Sequence, residues 1–240
     1  MSRRKRGWID NACYHITHRC HNREFLFRYK KYRQFYMRHL FEMQKRYKIN
    51  VLDYIVTSNH VHLLLTAKKG NKISEGLRYL HGRIGQWYNN QVKSSGSFWS
   101  DRFHSTLIQD GEHFGKCLFY IDLNMIRAGV VKHPSEWDAC GYNEFYNPKQ
   151  RFRIINMNRL FQVLSISDID TFRKWHTSTL NNIIEKAEST RMEFWTKAYA
   201  VGNEDWLKDK LTTAGIRRMK INNSNGTSFA IGAMPKKSLK

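Results

Sequence analysis

Acidic residues are the scarce class in this sequence. Only 20 Asp and Glu stand against 41 Lys and Arg in 240 residues, a formal net charge of +21 with a pI near 10. Such an excess attracts polyanions, and nucleic acid is the expected partner. Long apolar runs are missing too, as is any basic amphipathic helix, so nothing anchors the chain to an anionic membrane and no membrane partner is expected. The basic start MSRRKRGWIDNACYH has no apolar segment behind it. A secretory signal is therefore not expected, and the cytoplasm is the expected compartment. Cysteine is sparse: Cys13, Cys20, Cys117 and Cys140 form no C-x-x-C pair, which argues against a zinc knuckle and against a disulfide framework. No internal repeat is found.

What is present fits a folded protein. A hydrophobic content of 41% and 33 aromatic residues exclude wholesale disorder, and the length allows one domain, or one with an appendage. The charge is uneven: residues 1–50 carry 14 Lys and Arg against 3 Asp and Glu, and residues 151–240 carry 16 against 8. Residues 51–150 are almost balanced at 11 against 9. A near-neutral middle between two basic flanks fits phosphate contact better than a merely solvated surface.

The middle holds Asn59-His60-Val61-His62-Leu63-Leu64-Leu65, an apolar strand pattern with two histidines in it. Alternation puts His60, His62 and Leu64 on one side and Val61, Leu63 and Leu65 on the other. One reading is a hydrogen-bonded core histidine beside a solvent-facing one. The other is a two-imidazole metal platform. The segment CYHITHRCH looks like a further metal cluster, but a strand would send Cys13 and His15 to one face and His18 and Cys20 to the other. The four cannot then chelate one ion without a break.

Residues 13–20 alternate like a strand, and 32–47 show helical spacing through Phe35, Leu40 and Met43. INVLDYIVTS and VHLLLTA predict an antiparallel hairpin turning at Thr57-Ser58-Asn59. A helix follows over 73–91 with Ile73, Leu77, Leu80, Ile84 and Trp87 on one face, then the loop KSSGS, a strand in RFHSTLI, and a helix from about 111 to 128 ended by Gly129. This order predicts an α+β fold: a ferredoxin-like antiparallel sheet with helices, then a helical C-terminal extension in which Asn203 is an N-cap. The expected organisation is a domain over 1–148, a helical recognition extension over 149–222 and a flexible tail over 223–240.

The segment HFGKCLFYIDLNMIRAG carries two helical stripes. Phe114, Leu118, Ile121 and Met125 form a core stripe. His113, Lys116, Tyr120, Asn124 and Arg127 form a polar one, which reads either as a solvated face with a snorkelling tyrosine or as a site with a hydroxyl nucleophile, an amide and cations.

NHVHLLL followed about 60 residues later by YIDLNMIRAGVV resembles the single-tyrosine HUH transposases, and among them the REP-associated tyrosine transposases of bacteria. YHITHRCHNREFLF is similar to their first strand and loop, and YAVGNEDWLKD to a segment near their C-terminus. The likeness covers 13–145 well and the rest loosely. Met125 in place of proline, Cys20-His21 in place of a glycine-containing loop, and SDRFHS in place of a GRY-type sequence depart from the family's text. None touches the catalytic set.

The resemblance implies the HUH nuclease fold, Tyr120 as nucleophile, His60 and His62 as ligands of a divalent ion, and Asn124 as the third. Arg19, Arg23, Arg102, Lys116 and Arg127 are candidate DNA contacts. Two imidazoles, an amide oxygen and waters suit six-coordinate Mg²⁺ or Mn²⁺ better than a closed zinc site. The expected activity is cleavage and rejoining of hairpin-containing single-stranded DNA through a 5′-phosphotyrosine, by a monomer or homodimer in the cytoplasm and at the nucleoid. A non-catalytic nucleic-acid-binding protein of ferredoxin-like fold is the alternative. A phosphodiesterase that activates water is a second, but it needs more ligands.

Overall fold

The computed structural model describes residues 7–148, 152–186, 190–213, 220–223 and 229–232. Strand β1 (Cys13–Arg19), helix α1 (Lys30–Tyr47), the hairpin β2 (Ile49–Val56) and β3 (His60–Ala67), helix α2 (Asn71–Val92) and strand β4 (His104–Ile108) give the predicted β-α-β-β-α-β order. They pair antiparallel as β2-β3-β1-β4, the ferredoxin-like arrangement. Helix α1 buries Tyr36, Leu40 and Met43, at steps of 4 and 3, on the sheet. Phe35, expected in that stripe, lies one position off it and stacks on Trp87 of α2 with ring centroids 3.8 Å apart.

The two faces of the sheet serve different purposes. His18 on β1 meets α1 and α2: its Nδ1 lies 2.9 Å from Nδ1 of His81, whose Nε2 is 3.2 Å from the Tyr36 hydroxyl. His15, of the opposite parity, meets His62 on the other face. That face is covered by α3 (Glu112–Asp122), which continues after Leu123 into the short α4 (Asn124–Arg127). The single helix expected over 111–128 is thus two, because Leu123 leaves helical geometry at ψ 3°.

After α5 (Tyr142–Tyr146), helices α6 (Met157–Leu164) and α7 (Ile169–Glu185) pack on the outside of α3. Gly115 permits this approach, since a Cβ there would lie 3.3 Å from the Trp175 ring. The short α8 (Phe194–Lys197) leads into β5 (Ala200–Gly202), and α9 (Glu204–Thr213) starts at Asn203, whose Oδ1 accepts from the Trp206 backbone N–H at 2.9 Å. The helical extension is present, but it also returns to the sheet. Strand β5 lies parallel to β4, and β7 (Phe229–Gly232) and β6 (Lys220–Asn223) extend the sheet to seven strands. Of the tail expected over 223–240, Asn223 and residues 229–232 are strand, and the rest lies outside the described residues. Among the described residues no helix is long and apolar enough to cross a membrane.

Candidate active site

Strand register builds the histidine platform. Within the β1–β3 pair Arg19 faces His60, Thr17 faces His62, and His15 faces Leu64. The rings of His60 and His62 lie with centroids 4.9 Å apart, on one side of the sheet as alternation predicts. The hairpin turn pins His60: its backbone N–H donates to Thr57 Oγ1 at 3.1 Å, and its Nδ1 lies 2.7 Å from Asn59 Oδ1. An amide oxygen only accepts, so His60 Nδ1 carries the proton and its lone pair is on Nε2. His62 Nδ1 is engaged by His15 Nε2 at 2.8 Å, while its Nε2 faces the Asn124 amide at 3.2 Å.

Helix α3 sets the tyrosine ring beside the histidine rings. The Tyr120 ring lies 5.9 Å from that of His62 and 6.1 Å from that of His15, centroid to centroid. Arg127 reaches back from α4 over the Tyr120 ring, 4.2 Å from its centroid, and donates to the Tyr120 carbonyl. Among the described residues the Tyr120 hydroxyl makes no hydrogen bond. Burial pushes its pKa above the ordinary tyrosine value, while Arg127 first, then Arg191 and Arg19, pull it down. The arginines therefore favour the phenolate that burial alone would suppress.

A cleft of about 310 Å³ opens over the histidines, lined among others by Arg19, Arg23, Arg102, Arg191 and Lys197. Three predicted DNA contacts, Arg19, Arg23 and Arg102, therefore line the histidine cleft. Lys116 lies elsewhere: it pairs with Glu112 at 2.6 Å and, with Arg127 and Tyr120, lines a separate apolar cavity of about 810 Å³ walled by Trp175 and Trp195. His15 stood out in the sequence only as part of the CYHITHRCH cluster, and Arg191, Trp195 and Lys197 not at all. The last three come from a segment with no motif of its own. His15 could have been found, because alternation already placed it on the His60 and His62 side once β1 and β3 pair.

Burial pushes His15 down to about 3, and His60 to about 3 with help from Arg19, Arg191 and Arg127. Burial likewise drives His62 and His81 well below the usual histidine value. All four are neutral at physiological pH. Unfolded, each gains a proton as the pH falls through about 6.5. Folded, His15 and His60 resist until about 3, so between those values the unfolded chain binds more protons and stability declines with falling pH. Full stability is expected above pH 6.5, with the melting temperature dropping by roughly 5 °C or more between pH 7.5 and pH 5. Thermal unfolding followed by circular dichroism at a series of pH values checks this. A flat profile across that range would mean the imidazoles protonate without unfolding.

The donor set fits a divalent ion of the Mg²⁺ or Mn²⁺ kind. Two neutral imidazoles offer Nε2, and the Asn124 amide, rotated, offers Oδ1 at the same place. Among the described residues no group of three or more His, Cys, Asp or Glu is built to hold a metal, so the remaining positions would go to water or substrate oxygens, as in open six-coordinate sites.

A ferredoxin-like sheet with a histidine pair on one strand, faced by a tyrosine on the helix after β4, has the architecture of an HUH nuclease. Residues 9–123 match the family model described as "Transposase IS200 like". A solved REP-associated tyrosine transposase, bound in its own structure to a REP hairpin, shares the fold at a TM-score of 0.51 and 19% identity, over 60% of this chain and 84% of that one. A protein from Deinococcus radiodurans described as a candidate transposase aligns at a TM-score of 0.37 and 15% identity, over 54% and 98% of the two chains. Comparison with curated proteins found no match.

Proposed function

We propose that this protein is a metal-dependent, single-tyrosine endonuclease and strand transferase acting on hairpin-containing single-stranded DNA. The observation that carries the reading is convergence. His60 and His62 lie on β3, and Tyr120 and Asn124 about 60 residues later on α3 and α4, yet the Tyr120 ring stands 5.9 Å from that of His62, and the Asn124 amide 3.2 Å from His62 Nε2. A non-catalytic binding protein would leave these four residues without a joint purpose.

In this reading the phosphodiester backbone lies in the basic cleft, held by Arg19, Arg23, Arg102, Arg191 and Lys197. The Tyr120 oxygen attacks the phosphorus, the bond to the 3′-oxygen breaks, and the strand is left as a 5′-phosphotyrosine with a free 3′-hydroxyl. The covalent link conserves the bond energy, so the reverse attack by another 3′-hydroxyl rejoins DNA without ATP. Arg127 and Arg191 stabilise the phenolate of the attacking group. His60, His62 and Asn124 would hold an Mg²⁺ or Mn²⁺ ion, whose chemistry there is to polarise the phosphate and stabilise the leaving oxygen. The hairpin in the substrate is supported by the fold shared with a transposase that binds one, together with the match of residues 9–123 to a transposase family model.

The reading is tested by incubating the protein with Mn²⁺ and hairpin oligonucleotides labelled 3′ to the cut. A denaturation-resistant protein–DNA adduct is the expected product. Cleavage without an adduct would replace this reading with a water-activating phosphodiesterase, and tight binding of a panel of hairpins with no cleavage would favour a binding protein.

A further inference from the structure

His15 is fully buried on β1, and both of its ring nitrogens are committed. Nδ1 lies 2.8 Å from the Trp195 carbonyl oxygen, and Nε2 lies 2.8 Å from His62 Nδ1. The directions of these bonds follow from the end of the chain. A carbonyl oxygen only accepts, so His15 Nδ1 carries the proton, and in a neutral imidazole the other nitrogen is then an acceptor. His62 Nδ1 must therefore be the donor, and the lone pair of His62 is left on Nε2. The Asn124 amide, with Nδ2 facing that Nε2 at 3.2 Å, is compatible with this tautomer. A cationic His15 would reverse the chain, but a fully buried ring between a carbonyl and an imidazole has no counter-ion to hold the charge. The two imidazole planes are 12° from parallel, with centroids 5.0 Å apart, so His15 fixes the plane of His62 as well as its proton.

We propose that His15 is a positioning residue of the metal site, which sets the tautomer of His62 so that Nε2 is offered as a ligand, and which is itself anchored by the backbone of the C-terminal segment at Trp195. The inference rests on the reading of His60 and His62 as metal ligands. It assigns the segment after residue 149 a part in the site. The main chain of α8 orients the histidine that orients the ligand, so the extension would be needed for an intact metal site as well as for gripping DNA. Outer hydrogen-bond partners of this kind typically carry 10- to 100-fold in metal affinity.

Replacement of His15 isolates this role, because Thr106 Oγ1, 2.9 Å from the Ala198 carbonyl and 3.1 Å from that of Trp195, keeps α8 on β4 without the imidazole. In His15→Leu, a residue of similar bulk leaves the His62 Nδ1–H without an acceptor. In His15→Gln, the amide again offers an acceptor to His62 and a donor to Trp195. The measurement is Mn²⁺ affinity of the full-length protein without DNA, read from the loss of the free-ion electron paramagnetic resonance signal, alongside ¹⁵N NMR of the histidine side chains.

The expected result is a Kd for Mn²⁺ raised about 10- to 100-fold in His15→Leu and restored to within about threefold of wild type in His15→Gln. His62 should show the Nδ1–H tautomer in wild type and the Gln variant but not in the Leu variant. Equal loss of affinity in both variants would reduce His15 to packing and overturn the proposal, as would an Nε2–H tautomer of His62 in wild type. His62→Ala separates the two levels. If it abolishes Mn²⁺ binding while His15→Leu binds like wild type, the positioning role fails and the metal reading stands. If His62→Ala binds Mn²⁺ like wild type, both fail together.

Discussion

Tyr120→Phe should lower cleavage of single-stranded DNA by at least about a thousandfold and abolish the covalent adduct, while DNA affinity stays within about twofold of wild type. The size of the first effect follows from the proposed chemistry, in which the substitution deletes the attacking oxygen. The smallness of the second follows from geometry. The hydroxyl makes no hydrogen bond among the described residues, so phenylalanine keeps the ring contacts to His62, His15 and Trp195 and leaves no partner stranded. Arg127 retains its bond to the backbone carbonyl of residue 120. Denaturing gels of labelled reactions read the adduct, and filter binding reads affinity. An adduct that survives in the variant would move the nucleophile to another of the 12 tyrosines.

His60→Ala and His62→Ala should each remove metal-dependent cleavage, by about a hundredfold or more, and leave most DNA affinity. In the proposed complex the phosphates are held by Arg19, Arg23, Arg102, Arg191 and Lys197, and both substitutions leave these side chains in place. His62 should be the more damaging of the two for stability as well. It is almost fully buried, and its loss strands the Nε2 of His15, whereas His60 sits at the mouth of the hairpin turn. Cleavage rates measured across an Mn²⁺ titration, with a chelator control, provide the check. Full activity of both variants, or of wild type in EDTA, would remove the metal from the proposed mechanism.

Much of this was legible in the sequence because it depends on short-range periodicity. A period of 2 fixed which side of β3 carries His60 and His62, and the pairing of β1 with β3 preserved that assignment. Helical spacing placed Ile73, Leu77, Leu80 and Ile84 in the core, and all four are buried. The same spacing put Tyr120, Asn124 and Arg127 on one face. It could not tell a solvated face from a buried one. In the fold Tyr120 is 4% exposed and Asn124 9%, because α3 lies between the sheet and the later helices, a fact held in residues 157–185 and invisible within the stripe itself.

The sequence by itself determined the strand and helix order, the sidedness of the histidine pair and the basic charge of the flanks, since each is a property of neighbours in the chain. Only the tertiary structure decided the rest. It brought Arg191 and Lys197 into the histidine cleft and added β5, three residues long, to the edge of β4. It also joined His15 to His62 on one side and to the Trp195 carbonyl, 180 residues away in the chain, on the other. The physical reason is that a backbone carbonyl has no side-chain identity. Its use as a hydrogen-bond acceptor is fixed by where packing leaves it, which no local pattern of residues encodes.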